Sequence, residues 1–127
     1  MLDTDTCVYA MKDRVARFEK VSPLDCGISA VVLGGLLYGC HRSSRVAHNL
    51  KVIQAFVELV TIVPLDDDAA NAYGRLRAHL AKRGEIIGAN DLWIGAQAKT
   101  LGCTLVTNNQ REFKRVPGLK LANWLDA

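Results

Sequence analysis

Short apolar runs that suit strands alternate with longer segments of helical period along the whole chain, and that alternation admits few folds. Residues 1–3 read as the end of a short strand. Cys26-Gly27-Ile28, Val60 to Pro64 and Cys103 to Thr107 read as further strands, with Leu119 to Leu121 as a last edge strand. Between them the spacing predicts helices over Asp5 to Met11 and over Arg14 to Val21, the second stopped by Pro23. Ser29 is placed to N-cap a run from Ala30 to Gly39. Ser43 or Ser44 opens a longer helix whose Val46, Leu50, Ile53 and Val57 share one stripe. Asp66 caps a long helix that ends before Gly84. Asp67 and Asp68 then fall in its first turn, where negative charge complements the helix dipole, and capping explains this acidic triplet better than a metal does. A further helix starts near Asn90 and stops before Gly102, and Arg111 to Val116 forms a helical turn. This order gives an α/β fold with a mostly parallel sheet and right-handed crossovers.

With 127 residues the chain has room for one domain and a proper core. No apolar run reaches the ~20 residues that span a bilayer. Asp3 and Asp5 stand where a secretory leader carries basic residues, so a cytoplasmic setting is expected. Cys7, Cys26, Cys40 and Cys103 form no Cys-x-x-Cys pair, which argues against a disulfide framework or structural zinc. The net charge of +3 is a weak pointer to nucleic acid. Its cations come in bursts: Arg14, Arg17 and Lys20; Arg42, Arg45 and Lys51; Arg75, Arg77, Lys82 and Arg83; Arg111, Lys114 and Arg115. Most of these read as solvated helix faces.

Three positions carry the chemistry. Asp3 ends the first apolar run, Asn109 follows the run Thr104-Leu105-Val106-Thr107, and Asp91 opens an amphipathic segment. Groups just past the strands of a parallel sheet converge on one edge, where open α/β sheets bind ligands. Carboxylates gathered there with little other catalytic equipment point to magnesium acting on phosphate. Each also has a plainer use: Asp3 as a strand end, Asp91 as a charge at a helix start, Asn109 as a turn residue. His41, His48 and His79 lack a metal-ligand spacing. Trp93 and Trp124 read as packing residues, since only 6% of the chain is aromatic and no stacking platform is visible.

Taken in order, several stretches resemble the PIN-domain family, and within it the VapC-type ribonuclease toxins of type II toxin–antitoxin pairs. They are Met1-Leu2-Asp3-Thr4-Asp5, Ile28-Ser29-Ala30-Val31, Leu36-Leu37-Tyr38-Gly39, Asp66 through Ala70, and Arg75 through Leu80. Gly84 to Asp91, Val106-Thr107-Asn108-Asn109, Arg111 through Val116 and Gly118-Leu119 complete the set. The resemblance covers nearly the whole length and implies a single PIN-like domain over residues 1–127, a three-layer α/β/α sandwich. It implies RNA cleavage dependent on magnesium or manganese, with Asp3 and Asp91 as the metal-binding aspartates. Asn109 matches the Asp or Asn after the last major strand, Asp5 a supporting position that is often Asn, and Ser29 a small polar residue beside the pocket. It also implies a homodimer held in check by a small DNA-binding antitoxin, for which Leu36, Leu37, Tyr38 and the helix from Val46 to Val57 could form a groove.

One departure stands out. The family pattern Ile-Ser-x-x-Thr/Val-x-x-Glu-Leu carries a catalytic acid, and here Gly35 occupies that place in Ile28-Ser29-Ala30-Val31-Val32-Leu33-Gly34-Gly35-Leu36. Glycine inside a helix costs roughly 1 kcal/mol against alanine and supplies no ligand. Two readings follow: a ribonuclease weakened or silenced by Gly35, or a non-catalytic PIN-fold module that binds antitoxin or RNA.

Overall fold

The structure, a computed structural model, describes residues 1–12 and 21–124. The helix expected from Arg14 and the basic burst Arg14, Arg17 and Lys20 therefore lie outside the described residues. The elements run α1 (Thr4–Lys12), a 3-10 turn (Pro23–Asp25), β1 (Gly27–Ser29), α2 (Ala30–Arg42), α3 (Val46–Val57) and β2 (Thr61–Val63). They continue with α4 (Asp67–Lys82), α5 (Ala89–Leu101), β3 (Leu105–Val106), α6 (Gln110–Phe113) and β4 (Leu121–Ala122).

All strand pairing among the described residues is parallel. β1 lies beside β2 with Ile28 opposite Ile62, and β3 beside β4 with Leu105 opposite Leu121. The first three residues stitch the two pairs together. Leu2 N–H donates to Gly27 O at 2.8 Å on one side, while Asp3 N–H donates to Val106 O at 2.9 Å and Val106 N–H to Met1 O at 2.8 Å on the other. The strand order is thus β2, β1, residues 1–3, β3, β4. The strands are short, as expected of runs buried on both faces, and Leu2, Ile28 and Leu105 are fully enclosed.

Helices cover the sheet with their apolar faces, and α5 is buried on two sides, between the main core and a second one. Val32, Leu36, Ile53, Phe56, Ile94, Ala98 and Phe113 join the strand residues in the main core. Leu76 and Leu80 of α4 meet Ile87, Leu92 and Ala96 around α5 in a second one. Caps fall largely where the sequence puts them. Ser29 Oγ accepts from Val31 N–H at 3.0 Å, Asp66 Oδ1 accepts from Ala69 N–H at 2.9 Å, and Gly84 and Gly102 take left-handed φ values of 66° and 65°.

The start of α3 is corrected. Its N-cap is Arg45, without a side-chain capping bond, whereas Ser43 is the C-cap of α2. Ser43 Oγ donates to Cys40 O at 2.6 Å and accepts from Asn49 Nδ2 at 2.9 Å, so it ties the two helices rather than opening the second. Three helices, α1, α2 and α6, begin directly beyond residues 1–3, β1 and β3. One sheet edge therefore collects Asp3, Ser29 and Asn109.

Candidate active site

Asp3 is set by the strand before it and the helix after it. Its carboxylate is buried, with Oδ1 accepting from Thr4 N–H at 2.8 Å and Oδ2 from the Thr107 hydroxyl at 2.7 Å. Thr107 is fully buried one residue past β3, and its oxygen also accepts from Asn109 N–H at 2.9 Å. A single hydroxyl therefore links Asp3 to the turn that aims Asn109. Each Asp3 oxygen keeps a lone pair beyond these bonds.

Asn109 joins the other acids. It is the N-cap of α6 but makes no side-chain capping bond. Its Nδ2 instead donates to Asp91 Oδ2 and to Glu112 Oε2, both at 3.3 Å. Asp91 sits in the first turn of α5, where the helix dipole favours its anion. The local environment outweighs that help and pushes Asp91 up to about 7. Burial is the largest cause, followed by its hydrogen bond with Glu112 and repulsion from Asp3 and Glu112, while Asn109 pulls the other way.

The structure thus brings Asp3, Asp91 and Asn109 together. Ser29 shares their sheet edge, but its hydroxyl oxygen is engaged in capping α2. Asp5 is exposed in the first turn of α1. Gly35 is exposed on α2 and lines a groove with Thr4, the residue after Asp3. Apart from its chain neighbours and the helix's own backbone, nothing lies within 4 Å of where a Cβ at position 35 would sit, so packing does not demand glycine there.

Two members of the cluster are absent from the sequence reading. Glu112 is hidden because Asn109-Gln110-Arg111-Glu112 has the spacing of an ordinary capping pair, and Thr107 because it reads as the last residue of a buried strand. Among the described residues no three His, Cys, Asp or Glu side chains are gathered closely enough to hold a metal by themselves. The donor set is nevertheless made of hard oxygens, and the repulsion among its acids is what a cation would relieve. That suits magnesium or manganese, which keep several waters and need only one or two protein carboxylates.

Residues 1–119 match the PIN domain family. Over 127 residues the chain is 39% identical to the tRNA(fMet)-specific endonuclease VapC of Shigella flexneri, covering 98% of this chain and 96% of that one. It is 36% identical to ribonuclease VapC2 of Haemophilus influenzae, covering 98% and 97%. Among solved structures, DNA-bound VapBC from Salmonella typhimurium superposes with a TM-score of 0.91 at 34% identity, covering 98% of this chain and 96% of that chain. VapBC2 from Rickettsia felis bound to a promoter DNA fragment gives 0.89 at 36%, covering 98% and 97%. The fold and its acidic sheet edge define a PIN domain. The chain belongs to the PIN-domain family, in its VapC branch.

Proposed function

We propose that this chain is a VapC-type toxin whose site is built for metal-dependent hydrolysis of RNA, and that Gly35 leaves this copy weak or silent. The observation that carries the reading is the cluster of Asp3, Asp91, Asn109 and Glu112, in a chain 39% identical to a named endonuclease. Asp3 and Asp91 would hold a magnesium or manganese ion. When bound, the ion supplies Lewis acidity toward a water and toward the phosphate oxygens.

The chain's own groups do the positioning. Thr107 fixes one Asp3 oxygen and Asn109 fixes one Asp91 oxygen, so neither carboxylate need reorganise. Glu112, half-buried beside Asp91, accepts a hydrogen bond from the Asp91 carboxyl when that group is protonated. The names of the relatives support a tRNA as the class of RNA.

The test is gain of function. Gly35→Glu should create magnesium-dependent cleavage of bacterial RNA, and adding Asp91→Asn should abolish it. A folded Gly35→Glu protein that binds magnesium yet cuts no RNA sinks the enzyme reading. The alternative is a binding module, favoured by the specific fact that position 35 has open space and still lacks a carboxylate. An antitoxin segment would occupy the groove between α1, α2 and α3. Val8, Met11, Leu36, Val52 and Ile53 line that groove, and the structural relatives are VapBC complexes.

A further inference from the structure

The acid cluster repels the polyanion it is proposed to cut, so affinity for RNA has to come from another surface. Only one ion pair forms among the described residues, Arg83 with Glu85 at 3.4 Å, and it is exposed. Most cations are therefore unneutralised by neighbours, and where they gather matters. Two adjoining clefts share His79 and Pro117. The first lies between α4 and α5 and carries Arg75 and Lys99; the second carries Arg83, Lys114 and Arg115.

Against these five cations the clefts hold two carboxylates, Asp68 and Glu85, a net of +3 with His79 neutral. That equals the net charge of the entire chain, so the remaining charges cancel. The strip is also directed. It ends on Lys114 and Arg115, two and three residues after Glu112, and so leads from the α4–α5 seam to the helix that borders the acids. Arg115 is anchored, donating from Nη1 to Ile86 O at 2.7 Å, which fixes this end of the strip against the α4–α5 connection. Asn71 and Thr100 add neutral hydrogen-bonding groups that suit phosphate and sugar oxygens.

We infer that the strip running through Arg75, Lys99, Arg83 and Lys114 is the RNA-backbone track of this protein, delivering a strand to the acid cluster. This rests on the ribonuclease reading above. The strip shares no lining residue with the α1–α2–α3 groove, so RNA and an antitoxin segment would use different surfaces.

The test measures binding apart from cleavage. Fluorescein-labelled bulk bacterial tRNA is titrated with the full chain across a salt series and followed by anisotropy. Arg75→Gln/Lys99→Gln/Lys114→Gln should weaken binding by about tenfold or more near physiological salt and lower the log–log salt slope by about 2–3. Arg42→Gln/Arg45→Gln/Lys51→Gln removes the same charge from α2 and α3 and should stay within about twofold. Circular dichroism melts of both triple variants establish that each is folded. Equal losses in the two variants, or no loss in the first, overturn the track.

Cleavage by the Gly35→Glu chain separates the two claims. If it cuts RNA and the strip variant cuts and binds equally well, the track alone fails. If the parent chain binds no tRNA and Gly35→Glu cuts none, the ribonuclease reading fails and takes the track with it. Loss of antitoxin or self-association in the strip variant, with RNA affinity intact, identifies a protein interface and also overturns the track.

Discussion

At the scale of single residues, the site is a set of acids held closer than their charges favour. Asp91 illustrates the cost. Its ordinary value is 3.8, and the folded protein raises it to about 7. Between these values the native state keeps a proton that the unfolded chain has released. Stability therefore falls as pH rises from about 4 to about 7, the reverse of the usual aspartate. In metal-free protein, Asp91→Asn should flatten that slope and raise stability at neutral pH by about 1–2 kcal/mol, a figure reduced for solvent screening. Urea unfolding at several pH values in a chelator checks it; a variant less stable than the parent at neutral pH contradicts it.

Thr107 makes the opposite prediction, because its buried hydroxyl serves Asp3 and the Asn109 amide at once. Thr107→Val should cost about 1–3 kcal/mol through the groups it strands, and Thr107→Ser should restore most of this. In a Gly35→Glu background the same pair should separate in cleavage rate, with Ser near parental and Val well below.

At the scale of elements, α2 is the informative one. Val32, Leu36 and Cys40 bury one stripe, while Gly34 and Gly35 are exposed and face open space. Gly39 on the same helix is likewise exposed beside open space, so the helix carries three weak positions without a packing reason. Gly35→Ala should raise stability by about 1 kcal/mol, roughly 4 °C in Tm, without creating cleavage. A melt that does not rise shows that the glycine has a conformational use. The Gly35→Ala and Gly35→Glu variants together separate helix repair from the return of a carboxylate.

The boundary between α2 and α3 shows where local reading stops. Ser43 looks like a helix opener because serine caps well. It is spent instead on the Cys40 carbonyl and the Asn49 amide, since two consecutive helices turn there and both partners lie within reach.

For the whole molecule, the apolar core runs unbroken from residues 1–3 through α2, α3, α5 and α6, and no cluster of three metal-binding side chains ties the described residues together. Thermal unfolding with and without chelator should coincide within about 2 °C. A large drop in chelator would reveal a metal that the core depends on. Light scattering over a dilution series should give a homodimer at high concentration; a persistent monomer counts against it.

The alternation of apolar runs and helical stripes fixed the α/β class, the parallel pairing and most caps, because periodicity and capping are local properties that neighbours in sequence enforce. Asp3, Asp91 and Asn109 were legible as candidates for the same reason: each stands at an element boundary. Their assembly was not. Only the parallel insertion of residues 1–3 between β1 and β3 puts Asp3 against Thr107, and only the packing of α5 on α6 puts Asp91 within reach of Asn109 and Glu112. The same holds for the basic strip, whose bursts look like ordinary solvated faces until α4, α5 and the end of α6 bring them side by side. Charge type and spacing are written in the chain, but which charges meet, and which of them lose water, depends on contacts across tens of residues.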